Sequence, residues 1–232
     1  MKKNPHKRVC HIFGAGERVS AEALQRPADG DLVIAADGGY SWVTELGAAD
    51  EAFLADIFVG DFDSAAESAA EIRERCAKTG TTVVELPVVK DDTDTGVCVQ
   101  EGAKRGYKTF YIYGGTGGRW DHTIANLQLL THIAREGGRG FLIGAEICAT
   151  TVNAGEKITI AGKPDGHLSV FSAGGNAEGV SIRGAKYETE DVTLRDDYAL
   201  GVSNSFTAPE TSIACKKGTL LVTGEFLPKD VS

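Results

Sequence analysis

Apolar positions along the first 145 residues fall into two alternating patterns. Short runs rich in β-branched or aromatic residues occur at 9–13, 32–36, 57–60, 82–86, 109–113 and 141–144, each closed by Gly, Asp or Pro. Runs of this length and closure predict strands buried on both faces. Helix-like stretches lie between them. In the clearest, 121–136, Ile124, Leu127, Leu130, Ile133 and Ala134 trace one apolar face at a spacing of 3.6. Further helices are expected from about residue 65 and from the acidic stretch at 91–94 to about 105. Such alternation predicts an α/β unit with a mostly parallel sheet covered on both faces.

After about residue 146 the helical period disappears. Short apolar runs recur at 151–153, 157–160, 168–172, 180–182, 201–206, 211–214 and 220–223, separated by Ala-Gly, Asp-Gly, Gly-Gly and Lys-Gly turns. That pattern predicts an antiparallel sandwich or barrel. The expected domains are therefore 1–146, α/β, and 147–232, all-β.

Composition narrows the function classes. With 42% hydrophobic and 25% charged residues over 232 positions, the chain is an ordinary globular sequence. A formal net charge of -9 argues against nucleic acid as the main partner. No apolar stretch is long enough for a membrane span. The basic start, residues 1–8, has no apolar signal core after it, so a cytoplasmic protein is expected. Five scattered cysteines without a CxxC pair fit neither a disulfide framework nor a zinc site.

The candidate chemistry falls just after predicted strands, where open α/β sheets hold their ligands. Asp37, in Ala36-Asp37-Gly38-Gly39, either holds a ribose, metal or amine, or caps the next helix. Asp61 and Asp63, two apart, project to the same side and offer the hard oxygens that suit Mg²⁺; the alternative is a helix-capping turn at Asp63-Ser64. In Lys90-Asp91-Asp92-Thr93-Asp94-Thr95, three acids in four positions exceed what one helix cap needs, which suggests metal binding, with Lys90 as a phosphate contact. The turn Gly114-Gly115-Thr116-Gly117-Gly118 with Arg119 resembles a phosphate cradle before a helix. There Asp121 either caps the helix or orients a substrate hydroxyl, and His122 reads as packing. No P-loop is present, and Gly14-Ala15-Gly16 fails the dinucleotide fingerprint because position 19 is Val. An acidic cleft with a glycine-rich cradle points to phosphoryl or diphosphoryl transfer, without revealing the acceptor.

The motifs ADGG at 36–39, GDFDS at 60–64, DDTD at 91–94, GGTGGRWDH at 114–122 and SNSF at 203–206, in this order, resemble the thiamine pyrophosphokinase family over nearly the whole chain. The resemblance implies an α/β catalytic domain joined to a β-sandwich domain, a homodimer, Mg²⁺, and transfer of diphosphate from ATP to the hydroxyl of thiamine with AMP leaving. It implies that Asp37, Asp61, Asp63 and Asp94, with Asp92 and Thr93 beside them, form the metal and diphosphate site. It also implies that Gly117, Gly118, Arg119 and Asp121 orient nucleotide and thiamine. Asp121 or a neighbouring carboxylate would take the hydroxyl proton. Ser203 and Asn204 would line the thiamine pocket, with Phe206 and Tyr187 as candidate aromatic faces; Phe206 reads equally as a core residue of the sandwich. Lys90 stands where some relatives carry a neutral amide, and a positive charge there suits phosphate better than a cationic thiazolium. A pterin diphosphokinase and a ligand-sensing module without turnover are the rival readings.

Overall fold

A computed structural model describes residues 8–61, 68–87 and 91–232, which form two compact units divided between Asn126 and Leu127. In the first unit, β1 (Val9–Phe13), β2 (Leu32–Ala36), β3 (Ile57–Gly60), β4 (Thr82–Glu85) and β5 (Thr109–Tyr113) pair in parallel in the order β5-β1-β2-β3-β4. The helices are α1 (Gly39–Ala49), α2 (Ala69–Thr79), α3 (Asp94–Lys104) and α4 (Trp120–Arg135), the last running across the division between the units.

Strand alternation places Phe13 and Cys10 on opposite faces of β1. Phe13 meets Trp42 of α1 edge-on at 5.2 Å between ring centroids. On the other face, a methyl built on Gly102 of α3 would lie 2.9 Å from Cys10 Sγ. The sheet is thus covered on both sides, which explains the continuous apolar runs of β1 and β2, every residue of which is buried. Cys10, Cys76, Cys98, Cys148 and Cys215 are all buried and free. Burial pushes the thiols of Cys10 and Cys148 far above their ordinary range, which leaves them inert.

Helix ends follow local chemistry. Ser68 and Glu71 close α2 with a reciprocal capping box, and Gly80 ends it at φ 75°. The Thr93 hydroxyl accepts from the Gly96 amide at 3.0 Å and caps α3. The helix expected from about residue 65 is described from Ala69 onward, and 62–67 lie outside the described residues.

The second unit is built from strands. One antiparallel sheet has the order β12-β9-β14-β7-β6: β12 (Asn204–Ser205), β9 (His167–Ser172), β14 (Thr219–Gly224), β7 (Cys148–Asn153) and β6 (Arg139–Ile143). The other has the order β11-β10-β13-β8: β11 (Thr189–Leu194), β10 (Ala177–Arg183), β13 (Thr211–Ala214) and β8 (Lys157–Ile160). Val152, Val170 and Leu220 from the first and Ile158, Val180 and Ile213 from the second are fully or almost fully buried. This matches the expected α/β plus all-β sandwich class. Strand β6 pairs with β7, and the run at 139–143 lies in the second compact unit.

Two strands depart from the sequence reading. The run at 201–206 is a strand only at Asn204–Ser205. Before it, Gly201 lies against the β9 backbone: its carbonyl accepts from the Val170 amide at 2.9 Å, and a methyl there would sit 2.0 Å from the Val170 oxygen. Strand β11 was not expected, because it is a bulged edge strand whose residues are mostly solvent-facing. Among the described residues no helix is long and apolar enough to cross a membrane.

Candidate functional site

The chain leaves β1, adds β2, β3 and β4 outward on one side, then returns to place β5 on the other side of β1. The carboxyl ends of β1 and β5 are therefore the topological switch point, where the two following turns diverge and leave a crevice. Here two glycine turns interlock. The amide of Gly14 donates to the Tyr113 carbonyl, that of Gly16 to Gly114, and that of Glu17 to Thr116, each at 2.8 Å. A methyl on Gly114 would lie 2.4 Å from the Gly14 oxygen, and Gly114 holds φ 63°. Only glycine satisfies both demands without strain.

This crossing frames a cleft of about 390 Å³ lined by Gly14–Gly16, Asp37, Thr93–Thr95, Gly114–Arg119 and the α4 residues His122, Ala125 and Asn126. Buried Asn126 donates from Nδ2 to the Gly115 carbonyl at 2.8 Å, pinning the cradle to α4. The sequence reading missed Gly14, Gly16 and Asn126.

One wall of the cleft is acidic. Asp37 sits in the left-handed region at φ 44°, where a non-glycine residue costs about 1–3 kcal/mol and recurs at ligand sites. Its amide donates to the Val59 carbonyl at 2.7 Å, and its own carbonyl accepts from Tyr40 at 3.0 Å. A methyl on Gly60 would lie 3.2 Å from the Asp37 Cα, so Asp61 leaves β3 beside Asp37. Asp94 reaches the same cleft from the first turn of α3. Asp92 does not line the cleft: its carboxylate accepts from the amide of Thr93, the α3 cap, and from Gln100 Nε2 farther along the helix. Asp63 and Lys90 lie outside the described residues. Among the described residues no group of three His, Cys, Asp or Glu side chains forms a cation cage.

The start of α4 also lines the cleft. Arg119 lines the cleft and forms a two-pronged pair with Asp121, 2.5 Å from Nη2 to Oδ2 and 3.2 Å from Nε to Oδ1. The guanidinium beside it holds the Asp121 carboxyl below its ordinary value. Asp121 does not line the cleft, and His122 does.

The remaining candidates sit in the second unit. Asn204 is buried and clamps the Tyr187 backbone, with Oδ1 accepting from its amide and Nδ2 donating to its carbonyl, both at 2.9 Å. Ser203 is exposed at φ 61°. Phe206 is 0% exposed, and a methyl on Gly162 would lie 2.1 Å from its ring, so it fills the core and presents no face to a ligand. Tyr187 is exposed, with Lys186 Nζ 5.4 Å from its ring centroid.

A larger hollow, about 760 Å³, opens at the amino ends of β2, β3 and β4. Its arginines are engaged elsewhere, Arg26 with Asp50 and Arg105 with Glu101. The smaller cleft joins the interlocked glycine turns to Asp37, Asp94 and Arg119 at the switch point and is the candidate site.

Two family models match the chain: "Thiamin pyrophosphokinase, catalytic domain" over residues 25–141 and "Thiamin pyrophosphokinase, vitamin B1 binding domain" over 156–220. A curated relative, the thiamine pyrophosphokinase of Bacillus subtilis, is 24% identical over 163 residues, covering 70% of this chain and 75% of the relative. The solved Bacillus subtilis thiamine pyrophosphokinase superposes with a TM-score of 0.77 at 22% identity, covering 94% of this chain and 99% of that one. A thiamin pyrophosphokinase family protein from Enterococcus faecalis gives 0.73 at 26% identity over 94% and 98%. Yeast thiamin pyrophosphokinase gives 0.72 at 15% over 98% and 89%.

Proposed function

Because the chain belongs to the thiamin pyrophosphokinase family, we propose that it moves the diphosphate of ATP onto the hydroxyl of thiamine, releasing AMP. The observation that carries this reading is the cleft at the β1/β5 switch point, lined together by acids, a glycine cradle and the start of a helix. The cradle and α4 favour phosphate oxygens, and the acids favour cations. Residues 1–146 form the catalytic domain in this proposal and 147–232 the thiamine-binding domain.

The donors on the acidic wall are all hard oxygens, which fits Mg²⁺ held by one or two carboxylates together with substrate phosphates. One or two of Asp61, Asp63 and Asp94 would hold it together with the substrate phosphates, and it would supply neutralisation of the charge building on them. The chain's own work is positioning: Gly117, Gly118 and Arg119 hold the nucleotide, and the acidic wall orients the thiamine hydroxyl toward the β-phosphorus. Asp121, paired with Arg119 and outside the cleft lining, steadies Arg119. The proton acceptor we assign is a carboxylate of the acidic wall. Ser203 and Asn204 shape the thiamine side, with Asn204 holding Tyr187 in place. A homodimer in the cytoplasm fits the exposed Tyr187, Tyr198, Leu200 and Val202, which a second copy would cover, and the five free cysteines.

The test is Asp94→Asn and Asp61→Asn at saturating Mg²⁺, with product identified by mass. Loss of at least about 100-fold in turnover, the scale of one transition-state charge contact, supports the reading. Wild-type turnover in both variants sinks it.

A further inference from the structure

We propose that His122 is a further diphosphate-binding residue, donating a ring N–H to the phosphates of the nucleotide. The inference rests on the reading that ATP enters the cleft, and it gives a role to a side chain that the motif left as packing. His122 is the third residue of α4, and it is exposed and lines the cleft, so packing is not its use. Of the four side chains in the first turn, Trp120 to Thr123, it alone is in the lining. Arg119, Ala125 and Asn126 share its stripe. The bond from Asn126 to the Gly115 carbonyl fixes the rotation of that stripe against the cradle.

Most other polar side chains of the lining are committed. Arg119 is forked onto Asp121, Asn126 holds Gly115, and the Thr93 hydroxyl caps α3. Among the described residues the His122 ring makes no hydrogen bond, which leaves its nitrogens for a ligand. A neutral imidazole carries an N–H in either tautomer, which suits phosphate oxygens that only accept. Place decides the ligand. The amides of a first helical turn lack partners within the helix, and the glycine cradle comes directly before them. Anions drawn to these groups lie beside the one first-turn side chain that faces them. The cationic thiazolium is better served by Asp37 and Asp94 in the same lining. In this role the ring keeps its proton, and the proton of the thiamine hydroxyl goes to a carboxylate of the acidic wall.

The probe is inorganic pyrophosphate with Mg²⁺, which carries the phosphates without base or sugar. The chain has five histidines, and the ring signals of His122 in nitrogen-15 spectra of the full chain are those missing from His122→Ala. The expected result is that pyrophosphate moves these signals saturably and thiamine alone does not. His122→Ala should weaken pyrophosphate binding, measured by calorimetry, about tenfold to a hundredfold, the scale of a hydrogen bond to a charged group. It should raise the ATP KM and leave the thiamine KM near wild type. Three results overturn the proposal: His122 signals that stay put with pyrophosphate, signals that move with thiamine only, or unchanged pyrophosphate affinity in His122→Ala. Pyrophosphate binding needs no turnover, so the outcomes separate. Saturable shifts in a chain that makes no thiamine diphosphate would refute the proposed reaction and leave His122 in place. Turnover with an unchanged ATP KM in His122→Ala would do the reverse.

Discussion

Phe206 distinguishes the motif from the structure. As part of Ser203-Asn204-Ser205-Phe206 it reads as an aromatic face for the vitamin, yet it is fully buried. Its amide donates to the Gly166 carbonyl at 3.0 Å, its carbonyl accepts from the Asp165 amide at 3.2 Å, and its ring fills the space over Gly162. Phe206→Ala removes a whole ring from packed surroundings, a change that costs about 3–5 kcal/mol. For a chain of this size each kcal/mol lowers the melting temperature by about 2–4 °C, so a fall of roughly 6–20 °C is expected. Gly162→Ala attacks the same contact from the other side, pressing a methyl to 2.1 Å from the ring, and should cost about 1–3 kcal/mol by overpacking. The assay is thermal unfolding of both variants beside the thiamine KM measured well below the transition. A core residue lowers the melting temperature and leaves the KM of the remaining folded protein near wild type. A melting temperature within about a degree of wild type, with a tenfold rise in thiamine KM, would refute the core assignment.

Gly114→Ala should cost about 2–5 kcal/mol from the left-handed backbone and the clash with Gly14 together, and should raise the ATP KM; an unaltered melting temperature would contradict the interlocked turns. Asn126→Ala leaves the buried Gly115 carbonyl unpaired, for a loss of about 1–3 kcal/mol in denaturant unfolding, with weaker nucleotide binding as the cradle loosens. Arginines or lysines hold several carboxyls below their ordinary range: Arg18 at Glu45, Arg26 at Asp50, Lys104 and Arg105 at Glu101, and Arg119 at Asp121. A folded-state pKa below the unfolded one means stability that is present above about pH 4 and lost as pH falls through the lowered values. Acid unfolding followed by circular dichroism should therefore begin below about pH 4 and begin earlier in high salt; onset above about pH 5 with no salt effect would contradict it.

The parallel sheet was legible because strands buried on both faces leave unbroken apolar runs. Thus β1, β2, β3 and β5 fall where the apolar runs place them. Strand β11 was not legible, since a solvent-facing edge carrying Glu190 and Asp191 leaves no such run. Asp37, Asp94 and the 114–119 turn announced the cleft because acids and glycines after strands have few other uses. Gly14-Ala15-Gly16 looked like a failed dinucleotide motif. Its importance comes from crossing the turn after β5, a tertiary pairing without local signature. Phe206 was undecidable for the opposite reason: an apolar ring in a motif looks the same whether it stacks on a ligand or fills a core. The partner that decides it, Gly162, carries no side chain to notice.

The most direct test of the account is the product balance of the purified chain with ATP, Mg²⁺ and thiamine, followed by mass. The account predicts AMP and thiamine diphosphate in equal amounts, with no AMP when thiamine is left out. ADP with thiamine monophosphate, or AMP formed regardless of thiamine, would contradict diphosphate transfer to the vitamin.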